Sequence, residues 1–233
     1  MEFDNRPVAI SPVSVESRFF TRVYGWMALG LGLTALVSFL TVSTPAVLQF
    51  VFGSRMVFFG LMIGELALVA WLSGLIGKMS ATTAAVVFLA YSGLNGLTLA
   101  SIFLLYTSSS IATTFVVTGG MFGAMSVWGM VTKRSLDGLG SFAFMGLIGV
   151  VIASVVNIFM KSTMLEFVIS CVGIIVFLGL TAWDTRKLRS FAAAIGDIDG
   201  EDGRRMAVRG ALALYLDFIN LFLMLLRLFG NRR

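Results

Sequence analysis

Three carboxylates lie where carboxylates are costly. Glu65 sits in MIGELALVAW, Asp184 closes the apolar run MLEFVISCVGIIVFLGLTAW, and Asp217 lies in the middle of ALALYLDFINLFLMLL. An aspartate at the centre of a membrane helix costs about 2.5–3.5 kcal/mol on insertion scales, so such residues face protein or water and mark ion or proton paths. Asp217 is the deepest, about ten residues from either end of its run and too short to reach water. At helical spacing Arg209, Ala213, Asp217, Asn220, Met224 and Arg227 share one face. A polar stripe on an apolar helix predicts that this helix is central in a bundle.

Asp184 by itself has an ordinary reading, because Lys187 follows at i+3 and such pairs are common at a membrane edge. Taken with Asp217 it has a second one. The two lie near the same end of consecutive helices joined by one link, so they can meet. Two carboxylates a few ångström apart in a low dielectric cannot both be charged, and they share a proton instead. The chemistry predicted is a protonated plug at low pH and an ionised cation site at higher pH. Glu65 reads either as a helix-interface hydrogen bonder or as a pore-lining group, and Lys78, thirteen residues on, reaches it only loosely. Asn220, Arg209 and Lys78 are support candidates, while Asn95 and Asn157 read as interhelical hydrogen bonders.

The rest of the composition narrows the chemistry. Histidine is absent, which excludes imidazole metal ligands, Ser-His or Cys-His nucleophile pairs and a histidine pH switch. The one cysteine, Cys171, reads as a small packing residue. GDIDGEDG resembles a calcium loop but fails the pattern: counting from Asp197, position 6 is Asp202 rather than Gly, and position 12 is Val208 rather than Glu.

These side chains need a membrane bundle to hold them. The 233 residues are 58% hydrophobic and 12% charged, with a mean hydropathy of +0.96, whereas a soluble domain is about 25% charged. A chain so short of charge has lipid as its solvent. Apolar runs of about 20 residues predict seven spans, at 22–43, 56–77, 81–105, 111–132, 140–160, 164–185 and 207–229. Residues 1–21 form an N-terminal segment, 186–206 a flexible acidic link, and 230–233 a short tail. No signal-peptide pattern precedes the first span, which serves as its own insertion signal. The glycines of GWMALGLG, GLNG and GGMFGAMS suit close helix packing, and no internal repeat is visible.

The net charge of +5 lies in loops rather than in a nucleic-acid face. Arg6, Arg18, Arg22, Lys78, Lys133, Arg134, Arg186, Lys187, Arg189, Arg204, Arg205 and Arg209 fall on the N-terminal side. Arg55, Lys161, Arg227, Arg232 and Arg233 fall on the other. Twelve against five predicts a cytoplasmic N-terminus. A last segment that dipped in and returned would instead put both ends in the cytoplasm.

GELALVAWLSG around Glu65, TAWDTRKLR around Asp184 and ALALYLDFINLFLMLLRLFG around Asp217 together resemble the transmembrane Bax inhibitor motif family, in its bacterial branch. The resemblance spans residues 20–230. It implies an all-α seven-helix membrane protein with the last helix central, and a pH-sensitive calcium leak in the bacterial inner membrane. It also implies an aspartate pair as pH sensor at the positions of Asp184 and Asp217, which would bind Ca²⁺ weakly. Some bacterial relatives are linked to a membrane-bound AAA protease, so such a partner is a second expectation beside lipid, Ca²⁺ and H⁺. Departures are the long link and Trp183 where tyrosine is commoner; a basic latch to the pair has only Lys78 as a candidate.

Other classes fit less well. An intramembrane aspartyl protease needs Gly-x-Gly-Asp at the second aspartate and a later Pro-Ala-Leu; here LYLD stands there and no proline follows Pro45. A retinal protein needs a lysine on the last helix, and a rhomboid protease needs histidine. The reading is therefore a non-enzymatic cation path with no cofactor. The charge count makes a direct prediction: a reporter enzyme inserted in the 186–206 link is active on the cytoplasmic side of whole cells, and periplasmic activity would reverse the orientation.

Overall fold

The computed structural model describes residues 12–195 and 197–233, so Arg6 and Gly196 lie outside the described residues. The helices are α1 (Pro12–Ser43), α2 (Pro45–Phe52), α3 (Arg55–Leu75), α4 (Ala81–Leu99), α5 (Ser101–Leu105), α6 (Ser108–Val131), α7 (Asp137–Met160), α8 (Thr163–Ala194) and α9 (Glu201–Phe229). Seven segments are long and apolar enough to cross a membrane: α1, α3 with a following 3₁₀ turn, α4 with α5, and each of α6 to α9. Local chemistry sets several starts. Ser80, Thr107 and Ser162 accept hydrogen bonds from the amides of Thr83, Ser110 and Leu165, the usual N-cap service to orphaned helix donors. Pro45 occupies the first turn of α2, where its missing N–H is not needed.

α9 is the axis of the bundle. It packs against α1, α4, α6 and α8, whereas α7 leans on α8 and α3 leans on α4. Its buried residues run all round the helix, from Ala207 to Leu226, while α3 buries only Leu72. Close approach around the axis needs glycine at two crossings. A Cβ on Gly96 would lie 2.8 Å from the Thr34 carbonyl oxygen of α1, and one on Gly129 would lie 2.4 Å from the Ala182 oxygen of α8.

Two expectations change. The link expected over 186–206 is mostly helix, because α8 runs to Ala194 and α9 begins at Glu201. Apolarity ends at the membrane edge, but helix propensity does not: Arg186–Ala194 is rich in strong helix formers, and Leu188 and Ala192 bury a face one turn apart. Likewise α1 begins at Pro12, not near 22, because Phe19, Phe20 and Val23 are buried. The last helix is also unbroken over 29 residues, about 43 Å at 1.5 Å per residue, long enough to cross a membrane.

The six-residue turn left between α8 and α9 is tied to α1. Arg18 donates to Asp199 at 2.9 Å, Arg22 donates to the other Asp199 oxygen, and Arg22 also donates to the Ile198 carbonyl at 2.7 Å. Arg22, with Arg18 beside it, holds the Asp199 carboxyl below its ordinary value of 3.8. A carboxylate depressed in the folded state stabilises above its unfolded value, and that stabilisation is lost as pH falls through the folded one. Asp199→Asn should therefore lower the thermal midpoint slightly at about pH 6, with the difference from wild type shrinking as pH falls below 3.8. Equal midpoints at pH 6 would show that the tie contributes nothing.

Candidate functional site: a buried aspartate pair

α8 and α9 run antiparallel through a short turn, which brings Asp184 and Asp217 within hydrogen-bonding reach of each other. Asp217 is 5% exposed, and its Oδ2 has no hydrogen-bond partner among the described residues. Asp184 is half-buried. The cations whose charge reaches Asp184 are Lys187 and Arg209. Lys187 lies one turn on, with its ammonium 4.9 Å from the Trp183 ring centroid, and Arg209 is exposed on α9. The charge that bears on Asp217 is that of Asp184. An unsatisfied buried polar group costs about 1–3 kcal/mol, so Asp217 depends on Asp184 beside it. Three further buried oxygens are unpartnered among the described residues: Tyr24 Oη, Ser126 Oγ and Thr185 Oγ1. Thr185 is the neighbour of Asp184 on α8.

On the opposite face of α9 Tyr215 is fully buried. Its hydroxyl lies 2.7 Å from Thr34 Oγ1, and Thr34 donates at 2.9 Å to the carbonyls of Gly30 and Ser92. Phe88 and Tyr91 meet the Tyr215 ring edge-on. These contacts lock α1, α4 and α9 together.

Glu65 is not with the aspartates. Thr98 donates to it at 2.7 Å across the α3–α4 contact, and it lines a chamber of about 530 Å³. Both readings open for Glu65 thus hold geometrically: it bridges helices and it faces a cavity. Asn220, whose amide donates to the Leu216 carbonyl at 2.8 Å, lines the same chamber together with Tyr91, Leu216 and Ile219. Asp217 does not line it. The chamber thus reaches Leu216 and Asn220, one and three residues from Asp217 along α9, without the pair itself lining it. Lys78 is exposed, and among the described residues no ion pair joins it to either aspartate or to Glu65; Arg209 and Lys187 are the cations near the pair. Asn157 bonds locally, accepting from the Ser162 amide in the next turn of chain, whereas Asn95 donates to Tyr91 one turn back and also lies within hydrogen-bonding reach of Tyr215 on α9. An amide side chain near a helix end finds a local partner first.

Missed from the sequence were Thr98, Tyr91 and the mouth residues Tyr106, Glu166 and Arg232. A hint existed for Glu166, since it alone among the carboxylates flanks the C-terminal side of the seven predicted spans.

The fold and the site define a seven-span helical membrane protein with an acidic pair against its central helix. The chain matches, over residues 16–233, the family described as inhibitor of apoptosis-promoting Bax1, and it belongs to that family. It is 51% identical over 224 residues to the inner membrane protein YbhL of Escherichia coli K12, covering 96% of each chain. An uncharacterised protein of Borreliella burgdorferi is 42% identical, with 95% of each covered. Protein RP147 of Rickettsia prowazekii is 43% identical, covering 93% of this chain and 90% of its own length.

Central placement of α9 makes a labelling prediction. In a Cys171→Ser background, cysteines at 214, 217 and 221 should resist lipid-phase reagents, whereas cysteines at Phe159 and Phe167, which are 82% and 54% exposed, should react. Reaction from lipid at 217 would contradict the burial of the pair.

Proposed function

We propose that the protein is a calcium-permeable, pH-sensitive leak of the bacterial inner membrane, gated by a proton shared between Asp184 and Asp217. The observation that carries this reading is the unpartnered Oδ2 of a buried Asp217 lying against Asp184. Two unit charges 4 Å apart repel by about 4 kcal/mol at an effective dielectric near 20. One proton between the carboxyls converts that repulsion into a hydrogen bond and clamps α8 to α9. Loss of the proton leaves two negative charges that separate or take up a cation.

Calcium takes 6–8 oxygens, of which two carboxylates supply at most four. Among the described residues no group of three or more acidic or cysteine side chains gathers to hold a metal. Such a site is weak, which suits passage rather than storage. The chamber lined by Leu216 and Asn220, close to Asp217 along α9, supplies an approach to the pair. The inner-membrane placement rests on the E. coli relative's name together with the seven spans.

The test is calcium flux into proteoliposomes across about pH 6–8. Asp217→Asn and Asp184→Asn should each abolish most of the pH dependence, and the double variant should add little, because residues that act as one unit are not additive. Added calcium should lower the pH at which flux begins, since it favours the ionised pair. Full pH-dependent flux in either single variant would move the sensor to Glu65. Absence of calcium flux from the wild type would instead favour an interaction role, such as modulation of a membrane-bound AAA protease, that neutral side chains leave intact.

A further inference from the structure

The end of the chamber remote from Asp217 is roofed by the residues that follow α9. Arg232 lies on the chamber wall with Tyr106, Glu166 and Arg227. Its guanidinium donates to Glu166 at 3.1 Å and sits 5.9 Å from the Tyr106 ring centroid. The backbone is tied down as well. Thr107 donates to the Asn231 carbonyl at 3.1 Å, Arg233 donates to the Leu105 carbonyl at 3.0 Å, and Asn231 donates to Ser110 Oγ at 3.0 Å. Gly230 is pressed so close that a Cβ there would lie 2.7 Å from the Tyr106 ring and 2.4 Å from the Leu226 oxygen. Four residues thus form a strap from the axial helix to the loop between α5 and α6.

We propose that Glu166 is a cation-recognition site at the chamber mouth and that Arg232 is its tethered occupant, so that a divalent cation entering the chamber displaces the tail. Glu166 is one-third exposed and pairs with Arg232, itself more than half exposed. A pair so open to water is weak, and an exposed cation–π contact adds little more. That is enough to hold a strap shut most of the time and little enough for a competing ion to release it. Further in, Glu65 offers the same chemistry. The inference rests on the cation-path reading for the nature of the ligand alone; the strap itself stands on the contacts above.

Two measurements on the full chain test it without reading calcium flux, so its failure is separable from failure of the aspartate gate. Hydrogen exchange at the Thr107 and Arg233 amides should quicken about fivefold in Arg232→Ala and in Glu166→Gln. Millimolar calcium should do the same to wild type but add nothing to Glu166→Gln. Gly230→Val, which pushes the tail off Tyr106 and leaves both charges in place, should quicken exchange without calcium. In a Cys171→Ser background, a cysteine replacing the buried chamber residue Asn95 should react faster with a water-soluble thiol reagent in Arg232→Ala and in Gly230→Val. Sodium at matched ionic strength acting as well as calcium would overturn the site, since screening rather than occupancy would then release the tail. Unchanged Asn95→Cys reactivity with a released tail would overturn the strap as a cover.

Discussion

A carboxylate near the middle of a membrane bundle cannot be left facing lipid, and most of this architecture follows from meeting that demand at Asp217. The helix that carries it has to be surrounded, and α1, α4, α6 and α8 surround it. The partner has to come from a neighbour, and the short turn between α8 and α9 brings Asp184. The surrounding helices then have to come close to the axis and to one another. Gly96 lets α4 approach α1, and Gly129 lets α6 approach α8, so the glycines that read as packing residues serve the burial of one charge.

The same demand explains the unequal helices. Helices that touch the axis bury polar side chains and bond them: Thr34 and Tyr215 join, and Ser38 donates to the Gly96 carbonyl at 2.7 Å. α3 and α7 pack mainly on α4 and α8 rather than on the axis, and Met56, Ile63, Phe144 and Phe159 lie exposed on them as lipid-facing surface does. α3 nonetheless carries Glu65, held to α4 by Thr98. One peripheral helix therefore presents a carboxylate to a chamber whose other wall is the axis itself. The bundle is polar at its centre and along one side chamber, and apolar elsewhere.

The two faces of the bundle are fastened by different means. On the face of the α8–α9 turn, Arg18 and Arg22 hold Asp199, Arg189 reaches Glu16 and the Met130 carbonyl, and Glu201 accepts from the Ala81 amide at the start of α4. Charged groups there knit five helices. On the opposite face the fastening is mostly backbone, with the residues after α9 pairing with the loop between α5 and α6. Only one carboxylate, Glu166, takes part. The charge asymmetry that reads as a topology signal is thus also an asymmetry in how firmly each end is closed.

How much of this was legible follows from the range of each interaction. Apolar length and the spacing of Arg209, Asp217, Asn220 and Met224 are local patterns, and they determined the seven spans, the central last helix and the meeting of Asp184 with Asp217. Hydropathy could not see that α8 and α1 continue as helices beyond the membrane, because a helix in water keeps its backbone bonds while changing its surface. Nor could it place Glu65, Thr98, Glu166 and Arg232 around one chamber. Glu65 and Thr98 are 33 positions apart and Glu166 and Arg232 are 66, on elements whose contacts depend on which helix leans on which. Helix tilt, packing order and the path of the last four residues are decided by side chains meeting across the bundle, and only the tertiary structure carries them.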